Sequence, residues 1–421
     1  MRWRVVAAWG AAFLVLASSL AILPAAAIPA PADSPIARHV DCQAGNDDGD
    51  GSAGAPWRTP QSLATRALQP DTHVLLRRGC AWDGPVRLVG ERIVLGAYGE
   101  GAAPVLSAAD ADRLTPVLTV DSPGGAVRDL VIADGAGAGV QLAAPGASVS
   151  RTEVTGTAFG VQFAAPDGVA DAVYVHDLHM DINTPGGDDD SGAVCFDVRA
   201  PRATVRGSHA ERCRAPSYDY GHDGGFVEVW KSGDGLTVVD NTAIDVNGFL
   251  EAGGEGGSDS FHGAQIRGNK VARSHGGIGV HDDGKYAIDA SAVVFRDNEI
   301  QVVDGEITYG NAAALSIDGS NRIGAQAPGT VVPNPAGPGS DRAEGGASTD
   351  STPTTDSATT DTATADPSAA PREWVYDEGV RAWGLWEWRG QGWVLVDVSE
   401  SDPHAPPAPL TALTARPAPS R

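Results

Sequence analysis

Glu228 and Glu251 stand 23 residues apart in two matching segments, Gly225-Phe226-Val227-Glu228-Val229 and Gly248-Phe249-Leu250-Glu251-Ala252. Asp197 holds the same place in Cys195-Phe196-Asp197-Val198. Carboxylates at matched positions of stacked segments repel, so they require a proton, a cation or a metal between them. Two acids roughly 5 Å apart suit glycoside hydrolysis with retention, and a wider pair suits inversion. The alternative is an acidic ladder whose long side chains splay into solvent.

The run Ser217-Tyr218-Asp219-Tyr220-Gly221-His222-Asp223-Gly224-Gly225 leads into the Glu228 segment. Tyrosine faces suit sugar rings, aspartates hold hydroxyls or a metal, and histidine moves protons near neutrality. We assign catalytic candidacy to Glu228, Glu251, Asp223, His222 and Lys231. Tyr218, Asp219, Tyr220, Trp230, Asp197, His281 and Asp282 are candidate substrate contacts. A decorated turn explains the same run without function, since Asp and Gly are ordinary turn formers. Asp188-Asp189-Asp190 offers oxygen ligands for Ca²⁺, the one cofactor the sequence suggests, or else is a solvated loop. Asn46-Asp47-Asp48-Gly49-Asp50-Gly51 starts like a calcium loop, but its twelfth position is Trp57 and the pattern fails.

These residues ride on a repeat. Val117-Leu118-Thr119-Val120, Gly139-Val140-Gln141-Leu142 and Gly160-Val161-Gln162-Phe163 precede the three acidic segments, and Ile278-Gly279-Val280 follows them. Between them run segments that end in a polar corner: Val238-Val239-Asp240-Asn241, Ile266-Arg267-Gly268-Asn269 and Val294-Phe295-Arg296-Asp297-Asn298. A period of roughly 21 to 31 residues with short strands means a solenoid whose rungs share one core. Alternation turns Leu118/Val120, Val140/Leu142, Val161/Phe163, Phe196/Val198, Val227/Val229 and Leu250/Ala252 inward. The same alternation turns Thr119, Gln141, Gln162, Asp197, Glu228 and Glu251 outward. Asn241, Asn269 and Asn298 are expected to stack as an amide ladder.

The opening Gly49-Asp50-Gly51-Ser52, Ala55-Pro56-Trp57-Arg58-Thr59 and Val74-Leu75-Leu76-Arg77-Arg78-Gly79, with the Asn-ended strands, resembles secreted proteins of the pectate-lyase-like superfamily. The resemblance covers about residues 41–324. It implies an all-β, right-handed parallel β-helix, on which lyases, hydrolases, epimerases and binding proteins all occur. Glu228-Val229-Trp230-Lys231-Ser232 also resembles the Glu…Lys-Ser strand of the chondroitinase B and alginate lyase family. There the acid binds Ca²⁺ and the lysine abstracts the proton α to the uronate carboxylate. Here the Glu-to-Lys spacing is one residue shorter, and the next segment lacks that family's arginine. Lys231 otherwise neutralises the acidic column.

The chain divides into a signal peptide (1–27), the β-helix (38–327), a disordered linker rich in Pro, Ser, Thr and Asp (328–371), a Trp-rich β module (372–399) and a Pro-rich tail (400–421). Arg2 and Arg4, the uncharged run Val5–Leu23 and Ala25-Ala26-Ala27 carry the signal-peptide reading, against an uncleaved membrane anchor. Trp374, Trp383, Trp386, Trp388 and Trp393 either form a sugar-binding face or the core of a small meander. A formal charge of −24 and only three lysines exclude nucleic acid and anionic lipid as partners. Four cysteines behind a signal peptide suggest two disulfides, with Cys42–Cys80 and Cys195–Cys213 favoured among three connectivities. The expectation is a secreted, extracellular, monomeric protein, free of the membrane after signal cleavage and directed at a polysaccharide or cell-surface glycan. A polysaccharide hydrolase, a Ca²⁺-dependent lyase with Lys231 as base, and a non-catalytic glycan-binding β-helix all remain open.

Overall fold

The computed structural model describes residues 35–282, 284–303 and 305–324, and the backbone of three C-terminal strands. The expected signal peptide, linker and tail, Asp283 and the side chains of the Trp-rich module lie outside the described residues. The three strands, Arg372–Asp377, Ala382–Trp388 and Trp393–Ser399, pair antiparallel in chain order.

The body is a parallel β-helix. One sheet holds eleven strands, from Ala37–Val40 to Leu315–Ile317, each paired in parallel with the strand one turn later. A second parallel sheet of fifteen strands carries the acidic segments. Coils joined by parallel crossovers wind right-handed. Two disulfides, Cys42–Cys80 near the N-terminal end and Cys195–Cys213 beside the acidic strands, are formed as favoured.

The core follows the alternation. All twelve residues expected to point inward, Leu118 to Ala252, are essentially without solvent exposure. Phe226 and Phe249 share the parity of the glutamates yet are also fully buried, with their rings stacked at 5.9 Å. Phe196 meets Phe226 edge-on at 5.4 Å, so an aromatic file runs beneath the acidic column.

The corner asparagines form the expected ladder, extended at both ends. Asn269 donates through Nδ2 to the Val238 carbonyl (3.0 Å) and to Asn298 Oδ1 (2.8 Å). Its own Oδ1 accepts from the Asn241 backbone amide and side chain. Ser208 continues the ladder before Asn241, and Asn321 after Asn298. Each amide satisfies the turn of its neighbour, which pins the register of successive rungs.

Candidate active site

Parallel register turns the repeat into a column of side chains. Gln141 pairs with Gln162, Gln162 with Asp197, Asp197 with Glu228, Glu228 with Glu251, Glu251 with Gly279, and Gly279 with Tyr309. Adjacent strands lie about 4.8 Å apart, so the acids are direct neighbours and the structure brings Glu228 and Glu251 together as the repeat implies.

Asp197 does not face solvent. It is 1% exposed, and its Oδ2 accepts from Gln162 Nε2 and Arg199 Nε, both at 2.8 Å. This corrects its expected role as a substrate contact: Arg199, two residues on, folds back over it and takes its charge inward. Its Oδ1 has no hydrogen-bond partner. A buried carboxylate oxygen without a donor, beside Glu228, favours a proton on one of the two acids. Burial holds the Asp197 carboxyl above the ordinary range.

Glu228 is driven further. Burial, and then the charges of Asp197, Glu251 and Asp223, raise its carboxyl well above the usual range. Asp223 is pushed up to about 7, first by burial, with the charges of Glu251 and Asp190 adding to it. Glu251 sits in a different setting. Its side chain is 44% exposed, His281 Nε2 donates to its Oε1 at 2.8 Å, and the Tyr309 hydroxyl hydrogen-bonds it. Burial, and then the Glu251 charge and hydrogen bond, raise the Tyr309 hydroxyl, so it stays a donor. Two neighbouring acids thereby sit in different settings: burial and like charge favour the proton form of Glu228, and Glu251 has hydrogen-bond partners in His281 and Tyr309.

Tyr309 escapes sequence reasoning. Its strand, Thr308–Gly310, is three residues long and pairs with Ile278–Val280 only after an intervening loop. The one available signal is Gly279, a bare position in an otherwise polar column.

The Tyr-Asp-His run forms the turn of a hairpin: Ala215–Ser217 pairs antiparallel with Gly221–Asp223. Gly224 follows at φ 117°, where an added Cβ would lie 2.5 Å from the Ala193 carbonyl oxygen, so only glycine passes the chain into the Glu228 strand. The hairpin places Tyr220 and His222 in a cleft of about 420 Å³, lined also by Arg214, Asn247, Gly248, Glu251, His275 and Tyr309. Arg214, Asn247 and His275 were not singled out from sequence, since neither period nor motif marks them.

Other expected residues fall elsewhere. Tyr218 is 66% exposed at the hairpin tip and does not line this cleft. Asp219 Oδ2 accepts from the backbone amides of Asp189 and Asp190, and Asp190 accepts from the Ser217 hydroxyl at 2.7 Å. Oxygens of these three aspartates converge as in a cation site, but chain donors engage them, so the cluster reads as a latch between insertion and hairpin. Lys231, at φ 71°, carries its ammonium to Glu255 at 2.9 Å rather than to the glutamate column. Trp230 packs against Tyr286 at 5.8 Å, and Asp282 is exposed.

No family model and no curated protein matches this sequence. Among solved structures, the chain is similar to an alginate lyase from Paenibacillus sp. str. FPU-7, at 13% identity and TM-score 0.48, over 68% of this chain and 95% of that one. A rhamnogalacturonan lyase matches at 11% identity and TM-score 0.38, over 64% and 70%. The GH136 lacto-N-biosidase from Eubacterium ramulus matches at 12% and 0.38, over 68% of this chain and 65% of its own length, so this chain spans about two thirds of that enzyme. At these identities the likeness concerns the fold alone.

Proposed function

We propose that the chain is an extracellular carbohydrate-active enzyme, a polysaccharide hydrolase with Glu228 as general acid and Glu251 as nucleophile. The observation that carries this reading is the opposed setting of two register partners: Glu228 part-buried and crowded by Asp197, Glu251 and Asp223, which raises its carboxyl, and Glu251 open to a cleft and hydrogen-bonded by His281 and Tyr309.

Glu228 gives its proton to the glycosidic oxygen as the bond to the anomeric carbon breaks. Glu251 forms a bond to that carbon, giving a glycosyl ester. Water then adds to the anomeric carbon and returns a proton to Glu228, and Glu251 leaves as carboxylate. A separation near one strand spacing, about 4.8 Å, supports retention over inversion. The lyase reading rests on Lys231, whose ammonium Glu255 engages.

The test is turnover of alginate, polygalacturonate, rhamnogalacturonan and α-1,3-glucan by the purified protein, with and without chelator. New reducing ends without the ultraviolet absorbance of unsaturated products are expected, in both conditions. Unsaturated products, or full turnover by Glu251→Gln, would overturn the assignment.

A further inference from the structure

The walls of the site say which part of a polymer it accepts. We infer that it takes the end of a glycan chain and not its middle; this rests on the hydrolase reading above.

Along the column the groove is stopped on both sides. Beyond Glu228, Arg199 and Gln162 close over Asp197, which is 1% exposed, so the guanidinium of Arg199 stands where the acidic groove would run on. Beyond Glu251, Gly279 has no side chain and the Tyr309 ring stands over it.

Along the strand direction a third wall follows. Trp230, two residues after Glu228, packs on Tyr286, and Tyr286 packs on His281, each at 5.8 Å between ring centres. Tyr286 Oη and Lys285 Nζ both donate to the Asp188 carbonyl oxygen at 2.6 Å, and Tyr220 Oη donates to Asp188 Oδ1 at 2.7 Å. Asp188 precedes the Asp197 strand and Tyr286 follows the Gly279 strand. The bridge between them therefore crosses the rungs of Glu228 and Glu251, three strand spacings or about 14 Å.

What stays open is the cleft towards Arg214 and Asn247. At Gly248 an added Cβ would meet nothing within 4 Å, so the floor there is bare. The cleft's volume, about 420 Å³, suits a short segment enclosed on several sides. Arg214 and His222 also wall a second hollow of about 390 Å³, which reaches Arg212 and Asp177. That hollow adjoins the cleft through their shared Arg214 and His222 and gives the remainder of the chain a path. A polymer threaded this way presents its terminus to Glu251.

The test is the product profile of the intact protein on whichever polymer of the four-polysaccharide panel it degrades. An end-directed enzyme releases one short product from the first minutes, and viscosity falls slowly relative to reducing ends formed. A ladder of intermediate sizes with early viscosity loss would overturn the inference, even when Glu251→Gln is inactive and the hydrolase reading stands. Turnover that survives Glu251→Gln, or no turnover of any panel polymer, would sink the hydrolase reading and this inference together. The double variant Lys285→Met with Tyr286→Phe removes two donors of the bridge. Its ratio of viscosity loss to reducing ends should rise several-fold with circular dichroism unchanged; a folded double variant with the parent's ratio would remove the bridge as the cause of end selection.

Discussion

Tyr309 occupies the space that a side chain at Gly279 would need. A Cβ on Gly279 would lie 1.8 Å from the ring Cζ and 2.1 Å from the hydroxyl oxygen. The two are register partners on adjacent strands, so the empty position admits the ring into the column and lets its hydroxyl reach Glu251. Gly279→Ala should expel the ring and lower kcat/KM at least about tenfold, about 1.4 kcal/mol in the barrier. Tyr309→Phe keeps the ring and loses only the donor, so its loss should be smaller. Kinetics of the two variants on the panel polymer check the order; equal activity of Gly279→Ala and the parent would refute it.

Substitution of either glutamate separates chemistry from stability. Glu228→Gln and Glu251→Gln should each cost roughly two or more powers of ten in kcat, the range of general acid–base and nucleophilic groups. Their stabilities should diverge from that trend. Glu228→Gln removes a part-buried acid crowded by Asp197, Glu251 and Asp223, so its melting temperature should equal or exceed the parent's. Glu251→Gln leaves His281 and Tyr309 with a weaker acceptor and should gain nothing. Differential scanning calorimetry beside the kinetics tests both orders.

The column could be read from sequence because parallel pairing copies a period directly into space: Glu228 and Glu251 meet because their strands repeat in register. The asparagine ladder was legible for the same reason. Asp197 was misplaced because alternation gives only the side of a strand. Whether that side is wet depends on Arg199 and Gln162, which close over it. Lys231 lies three residues after Glu228, on the opposite parity, and its left-handed conformation carries its ammonium to Glu255. Tyr309 and the Asp188 bridge depend on loops, whose paths no period encodes.

Stability should fall as pH rises across the mildly acidic range. Asp223 binds its proton more tightly in the folded state, up to about 7, than in the unfolded chain at about 3.9. Its stabilisation is therefore complete below about pH 4 and is lost as pH climbs through about 7. Glu228 acts in the same direction, because its folded-state carboxyl also lies high. Asp177 opposes this at the acid end. The Arg212 hydrogen bond holds it down to about 2, so its contribution is present above about 3.9 and disappears as pH falls towards 2. Half-exposed and screened by solvent, Asp177 should contribute less than the part-buried Asp223 and Glu228. Urea unfolding at successive pH values should show stability declining from about pH 4 to 7. Asp223→Asn should flatten that decline, and an unchanged slope in this variant would refute the assignment.

The asparagine ladder allows a graded test of what holds the rungs in register. Asn269 is completely buried, and Asn269→Ala would remove the donor to the Val238 carbonyl and the acceptor of the Asn241 backbone amide, leaving the Asn241 side chain only the Val205 carbonyl. Each buried group left unpaired costs about 1–3 kcal/mol, so a loss of about 3 kcal/mol or more is expected. Asn321, at the ladder's end, is part-exposed and gives its oxygen to Asn298 alone. Water can reach that edge, so Asn321→Ala should cost clearly less. Asn269→Asp keeps the acceptor oxygen but loses the Nδ2 donor and places a charge where none is compensated, so it should be no better than alanine at neutral pH. The ladder touches none of the acids of the column, so the folded fraction of each variant should keep its turnover per molecule. Urea midpoints ordered parent, Asn321→Ala, Asn269→Ala would support the ladder as a register device. Equal midpoints for the two alanine variants would show that stacking of the apolar core alone sets the register.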